Sequence, residues 1–284
     1  MQKNNTLKTS NLQIEPIQLP ETPYTVFKSD TIQKWIDEKL SFTMIKDNSN
    51  ITVFREGKEP KKFHKPNVVI GENVNVGYHL CTLVRKDVAK LNLKGLRKIK
   101  PITVANWFDL ENIKKNIGEP INQIDISACY WIVAYHKGFI SERTYKSGLA
   151  NKNYKQGRNT ALGALASPIE VKLYRYGECI ETIMEEKETK IVRDLIVSTV
   201  FDLSMEIYNR FSHDFIFFET DCFFVTTKVA EKVQKMLKDR QFNTVIKKAV
   251  IHDCVADNFG NVIIYVNEKQ YNYDHKKNII NLLK

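Results

Sequence analysis

Three acids define the chemistry this chain can carry. Glu219 and Asp221 are one residue apart and lie between two short apolar runs, residues 215–218 and 222–225. Aromatic and β-branched runs of that length read as the strands of a buried β-hairpin, covered on both faces, with the acids at its tip. A carboxylate held against such a hairpin loses hydration, so it either takes up a proton or finds a cation. Two oxygen ligands from the tip and one from elsewhere suit Mg²⁺, which binds one or two carboxylates and is completed by water and substrate phosphates. The run Ile121-Asn-Gln-Ile-Asp125 reads as a strand ending on a third acid, and Asp125 beside the tip would supply the missing ligand. Taken alone, the tip reads equally as a surface hairpin with a polar turn.

A cationic counterpart lies between the two acidic segments. Over residues 151–166, helical spacing brings Lys155, Arg158, Asn159 and Leu162 onto one side. Such a face holds an anion, or is a solvated basic surface. Residues 127–135 are expected to start a helix directly after Asp125, and 141–148 to make at most two helical turns.

Further elements must position these groups. A hairpin is expected over 169–189, with its turn at Gly177-Glu178. A long helix over 190–211 then carries the stripe Ile191, Leu195, Thr199, Leu203, Ile207, Tyr208 and Phe211, and packs under the acidic hairpin. A helix over 230–240, strands over 245–255 and 262–266, and a turn at 257–261 follow. Upstream, residues 1–22 read as an extended arm, and 30–40 as an amphipathic helix on Ile32, Trp35, Ile36 and Leu40. Strand-like pieces at 42–45 and 51–54 precede a basic stretch, 55–65, that reads as a solvated loop. Residues 78–100 form the most basic patch.

The 284 residues, 43% hydrophobic, allow one large domain or two small ones. A net charge of +10 favours a polyanionic partner, nucleic acid before membrane. Five dispersed cysteines without a CxxC pair exclude a zinc knuckle or a disulfide framework and fit reduced thiols. With a polar N-terminus and no run of membrane-spanning length, a cytoplasmic location is expected, in the host cytoplasm for a viral protein.

The order of the pieces resembles the palm of family B DNA polymerases, nearest to the protein-primed phage and plasmid branch. The motif DxxSLYP is matched by Asp125-Ile-Ser-Ala-Cys-Tyr130-Trp131, KxxxNSxYG by Lys155-Gln-Gly-Arg-Asn159-Thr160-Ala-Leu162-Gly163, and DTDS by Glu219-Thr220-Asp221-Cys222. A KxY element is matched by Lys269-Gln-Tyr271. The resemblance covers about Ile121 to Tyr271. It implies an α+β fold: a polymerase-type palm with an antiparallel sheet backed by helices, short rudimentary fingers and a small N-terminal α/β region. The corresponding division is an arm at 1–22, a basic region at 23–118 and the palm at 119–284.

The resemblance also implies roles. Asp125 and Asp221 are the catalytic, metal-holding aspartates for two Mg²⁺ ions, with Mn²⁺ as a substitute, and Glu219 is the less demanding third acid. Tyr130 is the ring beneath the incoming sugar. Lys155, Arg158, Asn159 and Gly163 face the incoming nucleotide, Arg158 as a helper the motif does not specify. Lys269 and Tyr271 steady the primer. Partners implied are a DNA primer-template, deoxynucleoside triphosphates, and a terminal protein or other replication subunit supplying thumb-like function, with no membrane.

Departures from the pattern are Ala128 for Ser, Trp131 for Pro, Thr160 for Ser and Leu162 for Tyr. Asp125 and Lys155 are 30 positions apart (155 minus 125), so the fingers are short. Thirteen residues follow Tyr271 (284 minus 271), too few for a thumb, and no DxE-type proofreading pattern lies upstream. The expected function is a minimal template-dependent DNA polymerase or polymerase subunit in viral or mobile-element replication. The alternatives are a catalytically inactive palm that binds DNA or a replication partner, and an α/β scaffold whose charges are merely solvated.

Overall fold

The computed structural model describes residues 25–26, 29–47, 50–64, 74–256 and 261–274; the expected arm at 1–22 and most of the expected turn at 257–261 lie outside them. In chain order the elements are β1 (Thr25–Val26), α1 (Ser29–Asp37), β2 (Phe42–Asp47), β3 (Asn50–Arg55), β4 (Lys58–His64), α2 (Val74–Val88), α3 (Leu93–Leu96), β5 (Asn106–Phe108), α4 (Leu110–Lys115), β6 (Pro120–Ile126) and α5 (Cys129–His136). They continue with α6 (Glu142–Leu149), α7 (Lys155–Gly163), β7 (Ile169–Arg175), β8 (Glu178–Glu185), α8 (Lys190–Arg210), β9 (Phe215–Glu219), β10 (Cys222–Thr226), α9 (Ala230–Asp239), β11 (Thr244–Ala256), β12 (Asn261–Val266) and β13 (Lys269–Asp274). The fold is α+β, with mainly antiparallel sheets backed by helices.

Two compact units result. The first takes the described residues up to 64 together with Val171–Ile183; the second takes those of Asn67–Glu170 and Met184–Lys284.

In the first unit the sheet order is β1-β4-β3-β2-β7-β8. Its core is Trp35 of α1 against Phe42 and Phe63, with ring centroids 5.8 and 6.0 Å apart. The basic stretch after Arg55 is therefore not a loop. Gly57, at φ +65°, reverses the chain, and burial of Phe63 draws Lys58–His64 into the sheet as β4. Its charges stay outside, where Arg55 and Lys61 lie over the Trp35 ring at 4.5 and 5.8 Å. The turn joining β7 to β8 is Tyr176-Gly177, one residue earlier than expected. Both residues have positive φ, the pattern of a tight type I′ hairpin, and a Cβ on Gly177 would collide with the Ile36 carbonyl.

The second unit is built on an antiparallel seven-stranded sheet, β13-β12-β11-β6-β10-β9-β5. Period-two alternation splits its strands between two cores. Ile124, Ile126, Phe215, Phe218, Phe223 and Val225 pack with α5, α8 and α9, whereas Ile121, Phe217, Phe224, Ala249 and Ile251 pack with β12 and β13. Both faces of the β9–β10 hairpin are thus covered, as its continuous apolar character requires. Full burial of each phenylalanine contributes on the order of 1.5–3 kcal/mol at most.

Helix α8 backs the sheet, but its buried stripe is Val192, Ile196, Val200, Leu203 and Ile207, not the row starting at Ile191, Leu195 and Thr199. A strict i, i+4 row drifts around a 3.6-residue helix, and the real stripe corrects itself with one i, i+3 step from Val200 to Leu203. Part of the basic stretch 78–100 is α2, whose Leu80, Val84 and Val88 are buried in the same core.

Candidate active site

The hairpin places the acids at one rim of the sheet. Asp125 is the penultimate residue of β6, which pairs antiparallel with β10 so that Cys222 lies opposite both Asp125 and Glu219. Asp221 follows immediately on the same rim, its carbonyl accepting from the Ile126 amide at 3.1 Å. Asp125, near the end of β6, and Asp221, in the turn just before β10, line one cavity of ≈ 910 Å³. Tyr130, Lys155, Arg158, Asn159 and Gly163 line the same cavity.

Electrostatics match this arrangement. Burial, reinforced by the charge of Asp125, pushes the Asp221 carboxyl up from its ordinary 3.8 to about 6, against the opposing pull of Lys155. Burial, followed by the charges of Asp221 and Asp125, holds the Cys129 thiol well above its ordinary range, so it stays neutral.

The tip is strained and pinned. Thr220 has φ +60°, and the Asp221 amide donates to the Glu219 carbonyl at 2.7 Å, which makes a γ-turn of the rare, positive-φ kind. The Thr220 amide donates to Ala105 O at 2.6 Å, and the Tyr130 hydroxyl donates to Thr220 O at 2.9 Å. Burial first of all raises the Tyr130 phenol far above its usual value, so it remains a donor. Ala128 is also left-handed, at φ 57° and ψ 36°, immediately before α5. Strain of this kind costs of order 1–3 kcal/mol per residue and persists where surrounding structure enforces it. The first turn of α5 has no side-chain cap, and its left-handed entry forms a concave run of amides suited to an anion.

Helix α7 begins at Lys155, after a short 3₁₀ turn at Lys152–Tyr154, and so starts later than Asn151. Lys155 and Asn159 are exposed, whereas Arg158 and Leu162 are buried. Arg158 donates from Nη1 to Gly148 O at 2.7 Å, and burial lowers its pKa. Among the described residues no carboxylate forms an ion pair with it. Trp131 helps to set this arginine: its ring is buried against Gly148, where a Cβ would lie 2.5 Å away, and Nε1 donates to Tyr145 O at 3.1 Å. Gly163 differs, since a Cβ there would meet no protein atom within 4 Å.

Three expected residues lie outside the cavity lining. The Glu219 carboxylate accepts from the Tyr273 hydroxyl at 2.9 Å and from Asn106, and burial raises its pKa. Tyr271 packs on Phe217 and Phe224 with centroids 5.4 and 5.6 Å apart, on the sheet face that carries Glu219 and Cys222. Lys269 is exposed at the start of β13. Conversely, Arg193 of α8, Asn151 and Asn243 line the cavity without having been singled out. Arg193 stands in no motif, and only its place on the surface of α8 reveals it.

Among the described residues no group of three or more His, Cys, Asp and Glu side chains is gathered as a metal centre. Two aspartates lining a cavity, one of them raised by burial and by the charge of the other, are the donor set the chain offers. That set fits Mg²⁺, whose remaining positions go to water and substrate phosphate. Among the described residues, no helix is long and apolar enough to cross a membrane. Comparison with protein-family models, curated proteins and solved structures gives no match.

Proposed function

We propose that this chain is a minimal template-dependent DNA polymerase or polymerase subunit, acting by nucleotidyl transfer on a palm of the family B type with short fingers. One observation carries the reading: Asp125, near the end of β6, and Asp221, in the turn that leads into the adjacent antiparallel strand β10, share a cavity with Lys155, and the ionisation of Asp221 is opposed by burial and by Asp125.

Asp125 and Asp221 would hold the Mg²⁺ ions. Bound there, the ions would supply a lowered pKa at the primer 3′-hydroxyl and charge neutralisation on the departing pyrophosphate. The uncapped start of α5 and the Lys155 ammonium bind the triphosphate and orient its α-phosphorus toward the primer. Tyr130, anchored through its hydroxyl to Thr220 O, presents its ring as the floor beneath the sugar. Gly163 leaves the cavity wall open for close approach of the nucleotide. Lys269 and Tyr271, outside the cavity, meet the primer strand. The positive net charge supplies phosphate contacts along DNA.

A palm that binds DNA without chemistry is favoured by one feature, the engagement of Glu219 by Tyr273 and Asn106 away from the cavity. Mg²⁺-dependent primer extension by wild type, Asp125→Ala and Asp221→Ala, with DNA binding measured in parallel, separates the two. The polymerase reading expects both variants to lose incorporation and keep DNA binding. Normal incorporation by either variant would remove these acids from catalysis.

A further inference from the structure

The cavity holds a cation that the motif resemblance does not explain. Lys155 and Arg158 come from α7, but Arg193 comes from the first turn of α8, the helix behind the sheet. A positive side chain there opposes the helix dipole, so the helix gains nothing from it. Nor is it a rim charge with a strong mate. Among the described residues the carboxylate within ion-pair distance is its own neighbour, Asp194, at 3.5 Å from Nη1. Arg193 keeps 44% of its side-chain exposure and the rest of its five-donor fork.

The other two cations are more committed. Lys155 is electrostatically engaged with Asp221, and Arg158 is buried on the Gly148 carbonyl. Arg193 lines the cavity together with Cys129 and Tyr130, the start of α5, whose first turn lacks a side-chain cap, and its charge reaches the Tyr130 phenol. A planar guanidinium lining the same cavity as an uncapped helix start is suited to bidentate recognition of a phosphate held there.

We infer that Arg193 is a positioning residue for the triphosphate of the incoming nucleotide, binding it together with the start of α5. This rests on the nucleotidyl-transfer reading above and adds to it a cation from the palm helix, where the fingers are short. Such a contact fixes the triphosphate from the palm side, opposite the cations that α7 contributes.

The test is equilibrium binding of a fluorescent deoxynucleoside triphosphate, with Mg²⁺ and primer-template present, to wild type, Arg193→Gln and Arg193→Lys, each checked for an unchanged thermal transition. Arg193→Gln is expected to weaken triphosphate binding by about ten-fold or more, the scale of a lost charge-assisted hydrogen bond. The corresponding deoxynucleoside should bind equally to both, and Arg193→Lys should recover part of the loss. In turnover the defect should appear chiefly in KM. Equal triphosphate affinity in wild type and Arg193→Gln overturns the inference while leaving the polymerase reading standing. A wild type that binds no triphosphate overturns both.

Discussion

Replacing Asp221 by asparagine should make the protein more stable and inactive at once. In the folded state burial and Asp125 raise the Asp221 carboxyl from 3.8 to about 6. At 1.36 kcal/mol per tenfold change in the proton equilibrium, ionising it in place costs about 3 kcal/mol. Between those two pH values the folded chain holds more protons than the unfolded one, so this group makes stability fall as pH rises through the window and level off above it. Asparagine keeps the shape and carries no charge. Asp221→Asn should therefore gain up to about 3 kcal/mol at pH 8, several degrees in Tm for a unit of this size, with the gain shrinking below pH 6 and vanishing near pH 4. Mg²⁺ should raise the Tm of wild type more than that of the variant, because a bound cation relieves the same repulsion. Melts from pH 4 to 8, with and without Mg²⁺, are the assay. A variant no more stable than wild type at pH 8, or a gain that grows as pH falls, would refute the reasoning.

Two further substitutions separate binding from folding. Gly163→Ala meets no protein atom and improves helix propensity, so it should add roughly 0.5–1 kcal/mol of stability while lowering incorporation, read by melting and by primer extension. Tyr130→Ala should admit ribonucleotides on the order of ten- to a hundred-fold better, whereas Tyr130→Phe should keep sugar choice and lose about 0.5–1.5 kcal/mol with the hydrogen bond to Thr220 O. Competition between deoxy- and ribonucleotides decides; an unchanged preference in a folded, active alanine variant would take Tyr130 out of the site.

What the sequence made legible follows pattern strength. The β9–β10 hairpin announces itself because nearly every position is apolar, and the acids between its strands then have to lie at a tip. The motif residues of α7 come together because helical spacing is regular. The phase of the α8 stripe is harder: this helix buries several sides, and Ile191 and Leu195 compete on equal terms with Val192 and Ile196. Strand β4 is masked by its lysines and proline, since only Phe63 is a buried hydrophobic of the strand. Strand β5, three residues long, has no period to detect, yet its Asn106 reaches Glu219. That contact and the one from Tyr273 turn Glu219 away from the cavity through partners more than 50 positions distant, which no local spacing encodes. Arg193 is hidden for the same reason.

The central claim is that Asp125 and Asp221 serve templated nucleotidyl transfer, and single-nucleotide incorporation tests it most directly. The full chain is given a primer annealed to templates that differ only in the first unpaired base, with Mg²⁺ and each deoxynucleoside triphosphate in turn. The account predicts extension by one residue with the complementary nucleotide on each template, lost on chelation of the metal and in Asp125→Ala and Asp221→Ala. Extension that ignores the template base, or that survives loss of both carboxylates, would contradict it.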